Sequence, residues 1–266
     1  MREHTDRRAT LLLGSLLALG GCAGTPSADA PEAADTTAIT AALASTARLP
    51  GDAEQDSRRQ AAGVLVFLGV AQDQRVIDVF AAGGYYTELL SRVVGSQGRV
   101  LAYNNPPYAR FAEKGIAARY AGGRLANVDQ LTTGIDALGL QPESWDSAIF
   151  VMSYHDLYWR PKDGSWPATD PNVLLAALFA ALRPGGVVVV QDHVAIAGSD
   201  PYETVDKLHR IDPSVVRRDF ERAGFVLDGT SNLLAHPGDD HTKLVFDPAI
   251  QGKTDQFVHR YRKPAK

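Results

Sequence analysis

The chain has 266 residues, of which 45% are hydrophobic and 22% are charged, and its formal net charge is -4 at pH 7. This length and composition are typical of one globular core with a tail, and no sequence repeat or coiled-coil pattern is present. The charge leaves no basic footprint of the kind that binds nucleic acid, so we expect no nucleic-acid partner.

The first 22 residues have the layout of a bacterial export signal. Three arginines precede an apolar run at 11–19, which is too short to span a bilayer as a helix, and small residues follow it. The sequence LGGC at 19–22 resembles a lipoprotein lipobox, in which the cysteine becomes the lipidated N-terminus. Because Cys22 is the only cysteine in the chain, we predict lipidation there rather than a chance cysteine in an ordinary signal peptide.

This signal predicts an exported protein that is held on the periplasmic side of the bacterial envelope by the lipid at Cys22. Ala23 resembles the residue found in lipoproteins sorted to the outer membrane, and the arginine pair at 7–8 leaves a twin-arginine route open beside the Sec route. Residues 23–37 are rich in Ala, Pro, Ser, Thr and acidic residues, which predicts a flexible tether. The globular domain is therefore expected at 38–266.

Residues 75–90, RVIDVFAAGGYYTELL, are predicted to form a buried strand, a glycine turn and the start of a helix. The apolar, β-branched residues around Asp78 suit a strand that is buried on both faces. Gly83 and Gly84 are small enough for a ligand to approach the backbone at the carboxyl end of that strand, where open α/β sheets bind ligands. The alternative is a tight turn that needs glycine and binds nothing.

The rest of the domain alternates short apolar strands with helices. This alternation predicts right-handed βαβ units and a parallel sheet. The final strand alternates apolar and polar residues, which favours its antiparallel addition to the sheet. The predicted helices are 39–47, 56–68, 108–120, 173–182 and 215–223, and the predicted strands beyond the first are 99–103, 125–131, 145–152, 187–190, 225–228 and 256–262.

Several motifs in this order resemble the class I S-adenosylmethionine-dependent methyltransferases. LRPGG at 182–186 is shared widely across that superfamily, whereas GGYYTELL, SYHDLYWR, HRID and DDHTKLVFDPAIQGKTDQFV resemble a bacterial group of predicted methyltransferases. The resemblance implies an α/β fold: a Rossmann-like, mostly parallel sheet of seven strands with a terminal antiparallel strand and helices on both faces. It also implies S-adenosylmethionine as the cofactor, lying across the C-terminal ends of the first strands.

The same resemblance implies which residues bind the cofactor. Asn104 stands where an acid usually binds the ribose hydroxyls, and its uncharged amide predicts weaker hydrogen bonds to them. Phe80 and Ala81 replace the usual glycine-containing entry to the turn. The implied cofactor residues are Asp78, Ala82, Gly83 and Gly84 around the methionine and ribose, Asn104 at the ribose, Asp136 near adenine, and Met152 and Ser153 beside the reactive sulfur.

Tyr154, His155 and Asp156 follow the fourth strand, where the resemblance implies groups that face the methyl acceptor. Methyl transfer from a sulfonium needs positioning, and it needs a base where the acceptor must lose a proton. His155 is a candidate base, and the aromatic residues around it are candidates to line an acceptor pocket. The alternative is that the segment YHDLYW packs as a lid, with His155 only hydrogen-bonded.

A divalent metal site is an alternative at the same strand ends. Asp156 and the pair Asp192-His193 follow neighbouring strands, so their side chains are expected side by side, and carboxylate oxygens suit Mg²⁺ or Ca²⁺. Histidine suits transition metals better, and Asp192 also suits a loop cap, so we expect no metal here. His209 and the polar turn at 239–243 are expected at the surface or as caps.

The sequence therefore predicts an S-adenosylmethionine-dependent methyltransferase with a small-molecule acceptor and with membrane contact only through its lipid anchor. S-adenosylmethionine is made in the cytoplasm, however, and an exported protein should not meet it there. The alternative is an envelope lipoprotein that has lost methyl transfer and keeps the fold as a ligand-binding or scaffold module.

Overall fold

The structure of the protein, a computed structural model, describes Met1 and residues 33–265. The predicted signal, the lipidation site at Cys22 and most of the predicted tether lie outside these residues. No helix in the described part of the chain is long and apolar enough to cross a membrane. The first described helix begins at Thr36, two residues before the expected start of the domain.

Seven strands form the sheet at the centre of the molecule. They are β1 (Arg75–Val79), β2 (Arg99–Asn104), β3 (Val128–Thr132), β4 (Trp145–Val151), β5 (Leu182–His193), β6 (Val226–Ser231) and β7 (Gln256–Arg262). Their order across the sheet is β3-β2-β1-β4-β5-β7-β6. The strands β1 to β5 pair in parallel, and β7 lies antiparallel between β5 and β6. The Rossmann-like sheet predicted from the sequence is confirmed, including its antiparallel C-terminal strands.

Helices cover both faces of this sheet. They are α1 (Thr36–Ala44), α2 (Asp56–Arg59), α3 (Ala61–Leu68), α4 (Tyr85–Val94), α5 (Pro106–Phe111), α6 (Glu113–Tyr120), α7 (Pro171–Ala181), α8 (Pro201–Leu208) and α9 (Pro213–Arg222). Because successive strand side chains point to opposite faces, Val76 joins one hydrophobic cluster with α1, α3 and α4, whereas Ile77 and Val79 join a second cluster with α7 and α9.

Four of these helices begin with the same local signal, an Asn or Asp cap followed by proline. The cap side chain accepts a backbone N–H of the first turn, and proline is suited to the first helical position, where an N–H has no partner in the helix. The four pairs are Asn105-Pro106, Asp170-Pro171, Asp200-Pro201 and Asp212-Pro213. The helix α8 was not among the elements predicted from the sequence, although the pair Asp200-Pro201 carries this signal.

Most predicted elements differ from the observed ones by a few residues at their ends, and three differ more. The helix expected at 56–68 is split into α2 and α3 at Gln60, which has φ 47°. The helix expected at 108–120 is split into α5 and α6, because Ala112 between them has φ -94° and ψ 6°. The strand expected at 187–190 begins at Leu182, so the segment RPGG is part of β5 rather than a helix stop. Trp145 pairs with Leu182 and Ser147 pairs with Val187, so the register of β5 against β4 shifts between these two pairs, and the shift accommodates the segment RPGG.

Candidate functional site

The turn between β1 and α4 has an unusual backbone for its sequence. Phe80 and Ala82 have φ values of 55° and 47°, in the left-handed region that glycine adopts most easily, and Gly84 has φ 78°. Ala81, which the sequence suggested as a departure from the glycine pattern, is not in that region; its N–H donates to the Tyr103 carbonyl at 3.0 Å. The turn is therefore strained at Phe80 and Ala82, two positions with side chains.

The two glycines of this turn face α6. A Cβ atom added to Gly83 would lie 3.5 Å from the Cα atom of Gly115, and one added to Gly84 would lie 3.1 Å from Arg119 and from Tyr120. The Arg119 Nε atom also donates to the Gly83 carbonyl at 3.0 Å. Gly84 therefore permits the close approach of α6, whereas a Cβ atom on Gly83 would make only an ordinary contact with that helix. The role of Gly83 beside a ligand stays a prediction.

Asp78 is buried under the same turn. Its carboxylate accepts a hydrogen bond of 2.6 Å from the Thr87 hydroxyl in the first turn of α4. Burial raises the pKa of Asp78 to about 7, although the Thr87 hydrogen bonds oppose this shift. Asp78 thus joins β1 to α4, and its carboxyl group stays protonated below neutral pH.

Asn104 holds the turn from the end of β2. Its Oδ1 atom accepts the Ala82 N–H at 2.9 Å, and its Nδ2 atom donates to the Ala82 carbonyl at 3.3 Å. The side chain is buried. Both halves of the amide are thus engaged with Ala82, and the role of Asn104 at the ribose stays a prediction.

Asn105, the next residue, is the one that sequence reasoning missed. Its Oδ1 atom caps α5 by accepting the Tyr108 N–H at 2.9 Å. Its Nδ2 atom is buried and has no hydrogen-bond partner among the described residues, and Asn105 is only 1% exposed. Because a buried donor without a partner is costly, this atom is a candidate to donate to a ligand or a water molecule.

Asn105 lines a cleft of about 630 Å³ at the ends of β2 and β3. The cleft is also lined by Asp136, an exposed residue that follows β3, and by residues of the segment 164–170. Sites for small molecules and cofactors commonly have volumes of about 300–1,000 Å³, so this cleft is large enough for a nucleoside-sized ligand. Of the predicted cofactor residues, Asp136 is the one that the structure places on this cleft.

Three further predicted residues lie at the end of β4, apart from the cleft. Met152 has a left-handed backbone with φ 51°. The Ser153 hydroxyl is buried and donates to the Val79 carbonyl of β1 at 3.4 Å. The Tyr154 side chain is fully buried and donates to Asp219 on α9 at 3.1 Å. The structure therefore uses Tyr154 to attach α9 and does not bring its hydroxyl to His155.

His155 and Asp156 form the start of a polar cluster beyond the ends of β4 and β5. His155 Nδ1 lies 2.8 Å from the Asp192 carboxylate, and its Nε2 atom lies 3.4 Å from Asp156 Oδ1. Burial opposes the charge on His155, but the carboxylates of Asp192 and Asp156 outweigh it and raise the pKa of His155 to about 9. The imidazole is then protonated at neutral pH, where it cannot accept a further proton.

The His193 ring lies 6.2 Å from the His155 ring, but His193 is not among the potential ligands that group with Asp156. Its Nδ1 atom is 2.8 Å from the Thr254 hydroxyl, and burial lowers the pKa of His193 to about 4. Its place is taken by His209, which was expected at the surface. The His209 Nδ1 atom lies 3.4 Å from His155 Nε2 and 3.8 Å from Asp156 Oδ1. The motif HRID contained this residue, but nothing in its local sequence indicated where its ring would point.

Aromatic side chains connect the cleft to this cluster. The Tyr108 hydroxyl donates to Asp156 Oδ2, and the Tyr108 ring stacks on Phe80 of the β1 turn at 5.1 Å. Trp166, in the segment that lines the cleft, donates from Nε1 to the Asp156 carbonyl at 2.9 Å. Trp159 packs between Trp166 and His209, with ring centroids 5.1 and 5.2 Å away. Trp166 and Tyr108 therefore link the segments that line the cleft to the His155 cluster.

The chain is similar in sequence to a known methyltransferase over part of its length. It is 27% identical over 123 residues to the ubiquinone/menaquinone biosynthesis C-methyltransferase UbiE of Serratia proteamaculans. The matched region covers 46% of this chain and 43% of that protein, so it spans less than half of the relative. No protein-family profile matches the chain.

Solved structures with the same fold cover much more of the chain. An S-adenosylmethionine-dependent methyltransferase from Aquifex aeolicus covers 86% of this chain and 98% of its own, with 18% identity and a TM-score of 0.56. An arsenic(III) S-adenosylmethionine methyltransferase from Chlamydomonas reinhardtii covers 85% and 73%, with 17% identity and a TM-score of 0.51. The [4+2]-cyclase SpnF covers 87% and 93%, with 14% identity and a TM-score of 0.54. These likenesses establish the fold, and the cyclase shows that this fold by itself does not identify a reaction.

Proposed function

We propose that this chain, which has the class I methyltransferase fold and a partial sequence relationship to a C-methyltransferase, transfers a methyl group from S-adenosylmethionine to a small-molecule acceptor. The observation that carries the proposal is the cleft at the ends of β2 and β3, which holds the unpartnered Asn105 amide. In open α/β sheets, the carboxyl ends of the strands are where nucleotide-like ligands bind.

The residues of the cleft fit the adenosine half of the cofactor. The Asn105 Nδ2 atom is a buried donor that an adenine nitrogen or a ribose oxygen would satisfy. The carboxylate of Asp136, an exposed residue that also lines the cleft, is an acceptor for an amino group or a hydroxyl. Asn104 acts indirectly, because its two hydrogen bonds hold Ala82 and the turn in place.

The bound cofactor supplies an electrophilic methyl group on a sulfonium. The chain then has to hold the acceptor in line with that methyl group and exclude water, since methyl transfer is a direct displacement. The aromatic rings of Trp159 and Trp166 beside the His155 cluster provide an apolar wall for a small acceptor. The carboxylates of Asp192 and Asp156 raise the pKa of His155 to about 9, so His155 does not act as a resting base at neutral pH.

The experiment is calorimetry of S-adenosylmethionine and S-adenosylhomocysteine with the purified chain. Asn105→Ser keeps a good helix cap but removes the Nδ2 donor, so we expect about tenfold weaker binding, the value of one hydrogen bond of roughly 1.4 kcal/mol. Asp35→Ser, which exchanges the cap of α1, is the matched control and should bind normally. Absence of binding by the unchanged chain would contradict the proposal and would leave the alternative of an envelope scaffold.

We also propose that the protein is exported and anchored in the bacterial envelope through a lipid on Cys22. The support is the basic and apolar N-terminal pattern and the lipobox-like sequence that ends at the chain's only cysteine. Export of a folded, ligand-loaded protein by a twin-arginine route would allow an exported chain to carry S-adenosylmethionine out of the cytoplasm.

A further inference from the structure

Three potential metal ligands converge in the His155 cluster. The atoms are His155 Nε2, Asp156 Oδ1 and His209 Nδ1, and their separations are 3.4, 3.4 and 3.8 Å. All three residues lie within the described part of the chain as one compact group of potential ligands. His155 and Asp156 are buried and His209 is partly buried, so the group is sheltered but not sealed.

The spacing of these three atoms matches a tetrahedral ion. The point equidistant from all three in their common plane lies about 2.1 Å from each, and Zn–N and Zn–O bonds are about 2.0–2.2 Å long. In a regular tetrahedron with such bonds, the ligand atoms are roughly 3.3–3.4 Å apart, close to the separations observed. Small side-chain movements would thus bring an ion slightly out of the plane, with a fourth position open.

The hydrogen bonds that His155 and Asp156 make with other residues leave His155 Nε2 and Asp156 Oδ1 available to an ion. His155 directs Nδ1 to the fully buried carboxylate of Asp192, so Nε2 is the nitrogen that faces the group. Asp156 accepts the Tyr108 hydroxyl on Oδ2, so Oδ1 is the oxygen that faces it. Carboxylates and hydroxyls in these outer positions orient metal ligands and increase their affinity for the ion.

His209 is held at the group by its backbone and by its neighbours. Its φ is 51°, in the left-handed region that a residue with a side chain seldom adopts, and its ring packs against Trp159 and Phe246. The following residue, Arg210, is fully buried and pairs with Asp239 at 2.8 Å. The chain therefore fixes the direction of the His209 ring in the absence of any ion, which is the preorganisation that a metal site needs.

We propose that His155, Asp156 and His209 bind one divalent transition-metal ion of the Zn²⁺ type, with a fourth coordination position open to water or to a ligand. Two imidazoles and one carboxylate are a donor set that transition metals prefer and that Mg²⁺ and Ca²⁺ do not. The ion site stands independently of the proposed methyl transfer. Where that transfer also holds, the open position accepts an oxygen, nitrogen or sulfur atom of the acceptor, a statement that rests on the proposed function.

Cobalt(II) is the probe that tests this site, because its visible d–d absorption reports the number and type of ligands. The full chain is stripped with a chelator, titrated with Co²⁺ and then challenged with Zn²⁺. We expect one equivalent of Co²⁺ to bind with the spectrum of a four- or five-coordinate site and to be displaced by Zn²⁺. Absence of stoichiometric Co²⁺ binding would overturn the proposal.

A matched pair of variants locates the ion. His209→Asn retains a residue that tolerates the left-handed backbone but removes the imidazole, and we expect Co²⁺ affinity to fall at least ~100-fold. His241→Asn is the control, since His241 also has a positive φ, of 62°, and lies half-buried beside Asp255. Equal affinity in the two variants would overturn the assignment.

A second variant keeps the test decisive if His209→Asn unfolds. His155→Gln should also lose the Co²⁺ spectrum, and thermal unfolding without metal shows whether each variant retains its fold. Calorimetry with S-adenosylhomocysteine separates the two proposals. Binding of Co²⁺ without binding of S-adenosylhomocysteine would support the metal site and overturn the proposed methyl transfer. Binding of S-adenosylhomocysteine without binding of Co²⁺ would support only the cofactor site.

Discussion

The side-chain amide of Asn104 makes both of its hydrogen bonds with the backbone of Ala82, one to the N–H at 2.9 Å and one to the carbonyl at 3.3 Å. Ala82 has a φ of 47°, so a strained residue of the β1 turn is held from the end of the neighbouring strand. An asparagine satisfies both Ala82 groups because an amide is at once a donor and an acceptor. A carboxylate can satisfy only one of them.

Asn104→Asp therefore tests this relationship. The carboxylate would keep the bond to the Ala82 N–H but would face the Ala82 carbonyl without a donor, in a buried position, so we expect a loss of about 1–3 kcal/mol in the free energy of unfolding. Urea unfolding measures this loss. The control is Asn232→Asp at an exposed position, which should change the free energy of unfolding by less than about 0.5 kcal/mol. Tighter S-adenosylmethionine binding without a loss of stability would show that Asn104 contacts the ribose instead.

Asp78 makes the free energy of unfolding depend on pH. Burial raises the pKa of Asp78 in the folded chain to about 7, from its ordinary value of about 3.9, so folding takes up a proton between these two pH values. The free energy of unfolding should accordingly fall as pH rises from about 4 to 7, and above pH 7 the loss is complete. Asp78→Asn removes the ionisable group and should be more stable than the unchanged chain at pH 8, by up to roughly 4 kcal/mol at 1.4 kcal/mol per pH unit.

Urea unfolding of the two proteins at pH 5 and pH 8 checks this prediction. The stability of Asp78→Asn relative to the unchanged chain should increase between the two pH values. An equal difference at both would mean that Asp78 is ionised in the folded chain across this range, as it would be beside an unrecognised positive charge.

Arg210 and Asp239 form a buried pair that supports the segment carrying His209. Their side chains are 0% and 3% exposed, and Arg210 also donates to the carbonyls of Lys243 and Val194. Arg210→Met leaves the Asp239 carboxylate buried without its cation, so we expect a loss of about 3–5 kcal/mol.

The control for this pair is the surface ion pair between Arg99 and Asp129. Arg99 and Asp129 have side chains that are 45% and 53% exposed, so Arg99→Met should cost less than about 1 kcal/mol. Urea unfolding compares the two variants. Similar losses would contradict a structural role for the buried pair.

Lipidation predicts where the protein is found in the cell. Cys22→Ala removes the acceptor of the lipid, so the protein should move from the membrane fraction to the soluble periplasmic fraction. Ser27→Ala, in the predicted tether, is the control and should stay with the membrane. Fractionation and immunodetection measure the distribution, and retention of Cys22→Ala in the membrane fraction would contradict the anchor.

The sequence by itself determined the architecture, because strands and helices are encoded by local patterns. The apolar runs of β1 and β4 and the Asn/Asp-Pro pairs before the helices need only neighbouring residues to be recognised, and the order of elements then restricts the sheet to few topologies. The same patterns placed the glycine turn and the polar segment from Tyr154 to Asp156 at strand ends, where ligand sites occur.

Only the tertiary structure decided which polar groups meet at those ends. Gly83 lies beside Gly115 of α6, Asn105 has a buried donor without a partner among the described residues, and His209 joins His155 from 54 residues away. These contacts depend on how separate loops pack and on which rotamers the packing allows, and neither is encoded in a window of neighbouring residues. The chemistry of the site therefore became visible only when distant segments were brought within hydrogen-bonding distance.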